Sequence, residues 1–226
     1  MTLDHSFLPT QTKKSATGIT GFDEITGGGL PAERTTLLLG GPGSGKTIFA
    51  LQFLVNGATV DNEPGIFVAF EESPERLAAN FEAFGWDLAH LQPERLYMVD
   101  AQPDPELIQS GNFDLGGLLA ALGAQAKVMG ARRIVFDALD ILMTMLPDAA
   151  VRRREIYRLH SWLIEHELTG LITAKQGGDS EITVGSNPFR FGEDGSAGFM
   201  QFMVDCAIVL NHRVVLGVSQ RNLRVQ

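Results

Sequence analysis

The chain has 226 residues, of which 44% are hydrophobic and 20% charged, a composition typical of a globular domain with one large core. The formal net charge of −9 argues against a domain that binds nucleic acid through bulk electrostatics, because such domains carry an excess of Lys and Arg. No apolar run reaches about 18 residues, and residues 1–17 lack the apolar segment of a signal peptide, so the sequence predicts a cytosolic protein without a membrane span.

The first strong pattern is a buried strand followed by a buried helix. Residues 35–39 (TTLLL) form a short apolar run, which predicts a strand covered on both faces. Residues 48–55 are apolar nearly all round, which predicts a buried helix. Asn56-Gly57 is a typical signal for the end of that helix.

Between these two elements, residues 40–47 read GGPGSGKT, a complete G-x-x-x-x-G-K-[ST] phosphate loop. Its glycines let backbone N–H groups turn towards phosphates, while Lys46 reaches the β- and γ-phosphates and the Thr47 hydroxyl binds Mg²⁺. The N-terminus of the next helix adds partial positive charge. A chance match by a glycine-rich turn is the alternative, which the flanking strand and helix disfavour. We therefore predict a site for a nucleoside triphosphate and Mg²⁺ formed by Gly40, Gly41, Pro42, Gly43, Ser44, Gly45, Lys46, Thr47 and Ile48.

A pair of carboxylates, Glu71 and Glu72, follows the apolar strand predicted over residues 66–70. At the carboxyl end of a strand they would face the γ-phosphate, where one of them can polarise the attacking water. Alternatively, both interact with the dipole of the helix that follows at Ser73-Pro74. The sequence favours a catalytic role for Glu71.

A third carboxylate, Asp137, closes the apolar strand predicted over residues 134–136. This pattern places a carboxylate beside Mg²⁺ in phosphate-loop enzymes. An aspartate at the end of a strand can also begin a turn or cap a helix, but the phosphate loop favours the metal role. Asp140, three residues later, is the weaker candidate for it.

Strands and helices alternate along the rest of the chain. Further apolar strands are predicted over residues 96–99, 171–173 and 207–210. Amphipathic helices are predicted over residues 115–129 and 151–167, and another begins at Ser73-Pro74 with Leu77, Phe81 and Phe84 on one face. This alternation predicts an α/β fold, a mostly parallel sheet with helices on both faces and the phosphate site at the carboxyl end of a strand.

The C-terminal part departs from that pattern. Residues 177–198 are rich in glycine and polar residues, which predicts a long functional or mobile loop. Residues 214–218 follow a polar break at residues 211–213, which predicts an antiparallel hairpin at the sheet edge. Cys206 is the only cysteine; it excludes internal disulfides and is predicted to be a core residue.

Several segments together resemble the KaiC group of RecA-like ATPases. They are residues 17–25, 27–31, the phosphate loop and residues 67–74. Five further segments resemble the N-terminal half of KaiC-family proteins, namely residues 85–88, 100–105, 113–115, 131–133 and 153–156. The resemblance covers residues 17–225 and is specific because the segments occur together in one order.

The resemblance implies a RecA-like ATPase domain over residues 17–226, preceded by a tail of residues 1–16 and followed by a second domain in a longer protein. It implies a homohexameric ring that binds ATP and Mg²⁺ between neighbouring subunits and hydrolyses ATP slowly. Glu71 would act as the base, with assistance from Glu72. Clock or signalling proteins, such as KaiB-like proteins, are the implied partners.

Two departures from the family pattern stand out. In the kinase half of the family a Ser-Thr pair accepts phosphate, but the matching residues 200–205 (MQFMVD) contain no hydroxyl, which favours the ATPase half and leaves any serine/threonine autokinase activity to a second domain. The family also carries a Lys-x-Arg pair just after the strand matching residues 222–225. The sequence ends at Gln226, so we expect the chain alone to hydrolyse ATP poorly.

Two rival functions remain open at this point. A RecA-like fold also suits a DNA-dependent ATPase, which the acidic composition disfavours, and a nucleotide-gated scaffold would bind ATP without turnover. A small GTPase is disfavoured because the sequence has no Asn-Lys-x-Asp motif for guanine.

Overall fold

The computed structural model describes residues 12–91, 94–104, 106, 115–176, 196–201, 203–215 and 218–226. Two short strands, β1 (Lys14–Ser15) and β2 (Leu30–Pro31), pair antiparallel. The other described strands are β3 (Thr35–Gly40), β4 (Gly65–Ala69), β5 (Leu96–Asp100), β6 (Arg133–Asp137), β7 (Thr169–Lys175), β8 (Cys206–Val215) and β9 (Val218–Val225). They form one seven-stranded sheet in the order β5-β4-β6-β7-β3-β8-β9.

Helices occupy most of the described residues between the strands. They are α1 (Phe22–Thr26), α2 (Lys46–Thr59), α3 (Pro74–Phe81), α4 (Leu88–Leu91), α5 (Leu115–Met129), α6 (Leu139–Met145), α7 (Ala149–Glu165) and α8 (Ser196–Gln201). Among the described residues, none of the helices combines the length and the apolar character that crossing a membrane requires.

Helices cover both faces of the sheet. Leu37 and Leu39 of β3 pack into a cluster with residues of α5, α6 and α7, whereas Leu38 packs on the opposite face with residues of α2 and α3. Side chains alternate between faces along a strand, so a strand covered on both sides must be apolar throughout. Strands β3 to β8 pair in parallel and β9 is antiparallel to β8. The predicted α/β fold with a parallel sheet and a terminal hairpin is confirmed.

Helix α2 continues through Asn56-Gly57, so the helix end predicted there is wrong. The Asn56 side-chain amide donates to the Thr17 carbonyl at 2.8 Å. A Cβ at position 57 would lie 2.6 Å from Cδ of Arg133, so a glycine is needed where that side chain crosses the helix. Both residues therefore serve tertiary contacts instead of ending the helix.

The C-terminal hairpin is longer than the sequence indicated. Residues 211–213 were predicted as a break but lie inside β8, which runs on to Val215. Their polar side chains pair across the hairpin: the Asn211 amide donates to Asn222 Oδ1 at 2.9 Å and His212 Nε2 lies 2.8 Å from the Ser219 hydroxyl. Polar residues suit such a strand because it extends beyond the sheet core into solvent.

Two other predictions need adjustment. The long loop predicted over residues 177–198 ends earlier, because α8 begins at Ser196; residues 177–195 lie outside the described part. Ser73 and Pro74 begin α3 as predicted, although the Ser73 side chain makes no capping hydrogen bond. Leu77 and Phe81 are buried, whereas Phe84 is half-exposed and stacks on Trp86.

Arg133 is a buried arginine at the centre of an ionic cluster beneath the C-terminal half of α2. Its side chain is 1% exposed and donates to Asp61 and Glu63, both at 2.7 Å. A third hydrogen bond reaches the Phe53 carbonyl at 2.8 Å, and the guanidinium lies 4.6 Å from the centre of the Phe53 ring. A buried guanidinium is tolerated only when its donors are satisfied in this way.

We expect Arg133→Ala to lower the free energy of unfolding by about 3 kcal/mol, because it removes a fully buried side chain with its hydrogen bonds and leaves a cavity. Chemical denaturation monitored by circular dichroism measures this loss. Arg34→Ala is the control, since Arg34 pairs with Asp205 at 2.6 Å but is half-exposed, and such pairs contribute at most about 1 kcal/mol. Equal losses in the two variants would contradict the assignment.

Candidate nucleotide-binding site

The phosphate loop joins β3 to α2 across residues 41–45. Gly43 and Gly45 have φ values of +68° and +99°, a left-handed region that glycine adopts without strain. The first turn of α2 contains no acidic residue. The N-terminus of α2, with its backbone N–H groups and helix dipole, therefore meets no competing carboxylate on that turn, which suits an anion.

Lys46, the first residue of α2, folds back over the loop. Its Nζ donates to the carbonyls of Gly40 at 2.9 Å and Gly41 at 3.2 Å. The pKa of Lys46 is lowered by burial, and the opposing charges of Asp140, Asp137 and Glu71 offset only part of this shift. The ammonium is therefore partly desolvated and close to the loop, where it would interact strongly with a phosphate.

Asp137 lies at the carboxyl end of β6 and contacts the loop through Thr47. The Thr47 hydroxyl donates to Asp137 Oδ2 at 3.0 Å, and the Asp137 side chain is only 6% exposed. The pKa of Asp137 is raised by burial, and hydrogen bonds from the Thr173 and Thr47 hydroxyls offset only part of this shift. A hydroxyl and a carboxylate in contact form the all-oxygen donor set that Mg²⁺ prefers, so these two residues fit the ion.

Sequence reasoning missed Thr173, which orients Asp137. The Thr173 hydroxyl donates to Asp137 Oδ1 at 2.7 Å and accepts the Ala138 N–H, also at 2.7 Å. Ala138 has a φ of +62°, an unfavourable conformation for a residue with a Cβ. Thr173 therefore supports a strained turn and directs the other Asp137 oxygen at Thr47. Its only sequence signal is its position near the end of a strand that pairs with β6.

The two glutamates after β4 face different neighbours. Glu71 Oε1 lies 3.4 Å from Lys175 Nζ at the end of β7, and the charge of Glu71 acts on both Lys46 and Asp137. Glu72 Oε1 instead accepts from the Asn80 amide at 3.0 Å and lies 3.3 Å from Arg76 Nε, both on α3. Glu71 therefore lies on the phosphate side of the connection, whereas the Glu72 carboxylate is held on the helix.

A cavity of about 310 Å³ opens beside the loop, between α2 and the hairpin. Ser44, Gly45 and Ile48 line one side of it, and Asn222 and Leu223 of β9 line another. Mostly apolar linings with a few polar groups are typical of pockets that receive small molecules. Ile48, predicted as a nucleotide contact, lies in this cavity.

Comparison with known proteins also indicates an ATPase domain. The family described as "ATPase: KaiC" matches residues 15–226. "Circadian clock protein KaiC2" from Synechocystis sp. is 36% identical over 214 residues, which are 94% of this chain and 35% of that protein. "Circadian clock oscillator protein KaiC" from Parathermosynechococcus lividus is 43% identical over 165 residues, 72% of this chain and 30% of that protein.

A third relative, "Circadian clock oscillator protein KaiC" from Prochlorococcus marinus subsp. pastoris, is 36% identical over 217 residues, 95% of this chain and 40% of that protein. The chain thus spans between 30% and 40% of the length of these curated relatives. The family match begins at Ser15, in β1, and includes every side chain of the site described above. The chain belongs to the KaiC family of ATPases.

Proposed function

We propose that this chain is a cytoplasmic ATP-binding module that hydrolyses ATP slowly, requires Mg²⁺, and shares its site between adjacent subunits of a homohexameric ring. The observation that carries the proposal is the contact between Thr47 and Asp137, because it joins the phosphate loop to an acidic strand end in the arrangement that phosphate-loop ATPases use for Mg²⁺–ATP. Glu71 follows the carboxyl end of β4, the strand next to β6, and so lies at the same edge of the sheet as Asp137.

In the proposed reaction, a water oxygen attacks the γ-phosphorus while Glu71 accepts a proton from that water. The bond between the γ-phosphorus and the bridging oxygen breaks, and ADP leaves with the negative charge. Lys46 donates to phosphate oxygens as this charge develops. Bound Mg²⁺ would neutralise phosphate charge, and Thr47 and Asp137 are the residues that would hold it. Glu72, whose carboxylate is held by Arg76 and Asn80 of α3, would assist.

Sharing of the site between subunits is supported by the hairpin. The described residues of β9 are almost all exposed, as are Val214 and Val218 near its turn. This strand lies at the edge of the sheet and lines the cavity beside the phosphate loop. Exposed strand edges readily pair with or pack on a second chain, so a neighbouring subunit would cover the site from this side.

The activities of the whole protein are separate proposals. We propose that a second domain accompanies this one, because the relatives are more than twice as long as the part that matches. Any serine/threonine autokinase activity would belong to that domain. Names of the relatives refer to circadian clocks, which makes clock or signalling proteins, including KaiB-like ones, the proposed partners.

The proposal is tested by measuring both ATP turnover and oligomeric state on the full-length protein. We expect Mg²⁺-dependent release of phosphate from ATP, and hexamers in size-exclusion chromatography with light scattering when ATP is present. Strong stimulation by single- or double-stranded DNA would instead favour the DNA-dependent ATPase. ATP binding without any phosphate release would favour the nucleotide-gated scaffold.

We expect Asp137→Asn to raise the Mg²⁺ concentration needed for half-maximal ATP turnover by at least about 10- to 100-fold, because it removes the anionic oxygen that would hold the ion and even the outer partners of a metal contribute on this scale. A Mg²⁺ titration of ATPase activity measures the shift. Asp87→Asn, on an exposed aspartate paired with His90, should leave the titration unchanged. If Asp140→Asn shifts the titration and Asp137→Asn does not, Asp140 is the metal carboxylate.

A further inference from the structure

Lys175 is a charged residue beside the phosphate loop, and it has no role in the reaction proposed above. It is the last residue of β7, and in the parallel pairing it lies opposite Gly40, where the phosphate loop begins. Its Nζ is 3.4 Å from Glu71 Oε1. The lysine thus lies between the loop that would hold the phosphates and the glutamate that would activate water.

The charges around Lys175 belong to the same site. Burial lowers the pKa of Lys46, and the charge of Lys175 lowers it further. Burial raises the pKa of Asp140, and a backbone hydrogen bond from Lys175 and its charge oppose that rise, so both groups lie within reach of Lys175. Asp140 Oδ1 is buried and has no hydrogen-bond partner among the described residues. A buried acceptor without a partner is costly, and here it lies close to a lysine of the same subunit.

The ion pair between Lys175 and Glu71 is weak enough to be exchanged. The two side chains are 47% and 53% exposed, and ion pairs of this kind contribute little because water competes for both charges. A γ-phosphate carries more negative charge than one carboxylate and accepts stronger hydrogen bonds. A bound triphosphate would therefore compete successfully for the ammonium.

We propose that Lys175 is a γ-phosphate ligand contributed by the same subunit, which exchanges Glu71 for a γ-phosphate oxygen when ATP binds. This inference rests on the proposed function and deepens it. Before ATP binds, the pair holds Glu71; when the γ-phosphate arrives, the Glu71 carboxylate is released to accept the proton of the attacking water. Lys175 transfers no proton in this exchange.

The proposal makes Lys175 a residue that distinguishes ATP from ADP, because ADP has no γ-phosphate to compete for the ammonium. We expect Lys175→Gln to weaken binding of ATPγS by about tenfold or more, with ADP affinity within about twofold of the wild type. Isothermal titration calorimetry with each nucleotide and Mg²⁺ measures the ratio. Lys175→Arg, which keeps the charge, should recover most of the preference for ATPγS.

Lys13→Gln is the matched control. Lys13 is also an exposed lysine paired with a glutamate, at 2.7 Å from Glu33, but it lies in the segment that leads into β1, whereas Lys175 adjoins the loop. Its substitution should leave both affinities unchanged. An unaltered ratio of ATPγS to ADP affinity in Lys175→Gln would overturn the proposal.

A double-mutant cycle tests the exchange itself. Glu71→Gln should raise ATPγS affinity because it frees Lys175, and this gain should disappear in the Lys175→Gln background. A gain of the same size in both backgrounds would mean that Glu71 merely repels the phosphate, and the exchange would be refuted.

The failure of this inference is distinct from the failure of the proposed function. If the wild-type protein binds neither ATPγS nor ADP more tightly than Lys46→Ala does, the proposed function is wrong. If the wild type prefers ATPγS and Lys175→Gln retains that preference, only the role of Lys175 is wrong.

Discussion

Lys46→Ala is expected to abolish measurable ATP binding, with a loss of affinity of roughly a hundredfold or more. The substitution removes the ammonium that lies over the Gly40 and Gly41 carbonyls and would otherwise donate to the phosphates. Hydrogen bonds to charged groups contribute more than neutral ones, and this lysine makes several at once. Titration calorimetry with ATPγS and Mg²⁺ measures the loss.

The same variant should shift the protein from hexamers towards monomers, because nucleotide between subunits would stabilise the ring. Lys13→Ala provides the control for a lost lysine charge away from the loop. Hexamers that persist in Lys46→Ala without nucleotide, observed by light scattering, would refute a ring held together by ATP.

Glu71→Gln should reduce ATP turnover by about 10²- to 10⁴-fold, the usual contribution of a general base. The amide has the size of the carboxylate but cannot accept a proton from water, so ATP binding should persist. Steady-state phosphate release and ATPγS titration, measured on the same preparation, separate the two effects.

Glu72→Gln is the companion variant for this experiment. The Glu72 carboxylate is held by Arg76 and Asn80 on α3, so we expect a much smaller loss of turnover. Unchanged turnover in Glu71→Gln would leave the base unassigned, and a larger loss in Glu72→Gln would transfer the role to its neighbour.

The phosphate loop and the fold could be predicted because their signals are local. Glycines at required left-handed positions, an apolar strand before them and an apolar helix after them are features of neighbouring residues. Helix α5 has the predicted bounds, 115–129, since its apolar positions and the glycine that follows it, Gly130, lie within one segment. The alternation of strands and helices then leaves few possible topologies.

The errors arise where contacts distant in sequence decide the structure. Asn56-Gly57 resembles a helix end, but Thr17 and Arg133 use these residues for packing. The polar residues 211–213 resemble a turn, yet pairing with β9 extends the strand through them. Thr173 and Lys175 carry no motif, and their positions beside Asp137 and Glu71 follow from strand order alone. Sequence patterns report local preferences, which tertiary contacts override.

Arg133 links the stability of the fold to the orientation of the N-terminus of α2 at the phosphate site. Helix α2 has 14 residues and is therefore about 21 Å long. Its C-terminal half is fastened to the sheet by the guanidinium, and its opposite end presents N–H groups to the phosphates. A rotation of about 3° around the fastened end would move the first turn by about 1 Å, and displacements of that size are costly in catalysis. Arg133 would thus fix the position of the helix from the end opposite the phosphates. Substitutions of Arg133 should therefore alter the alignment of bound ATP even in molecules that remain folded.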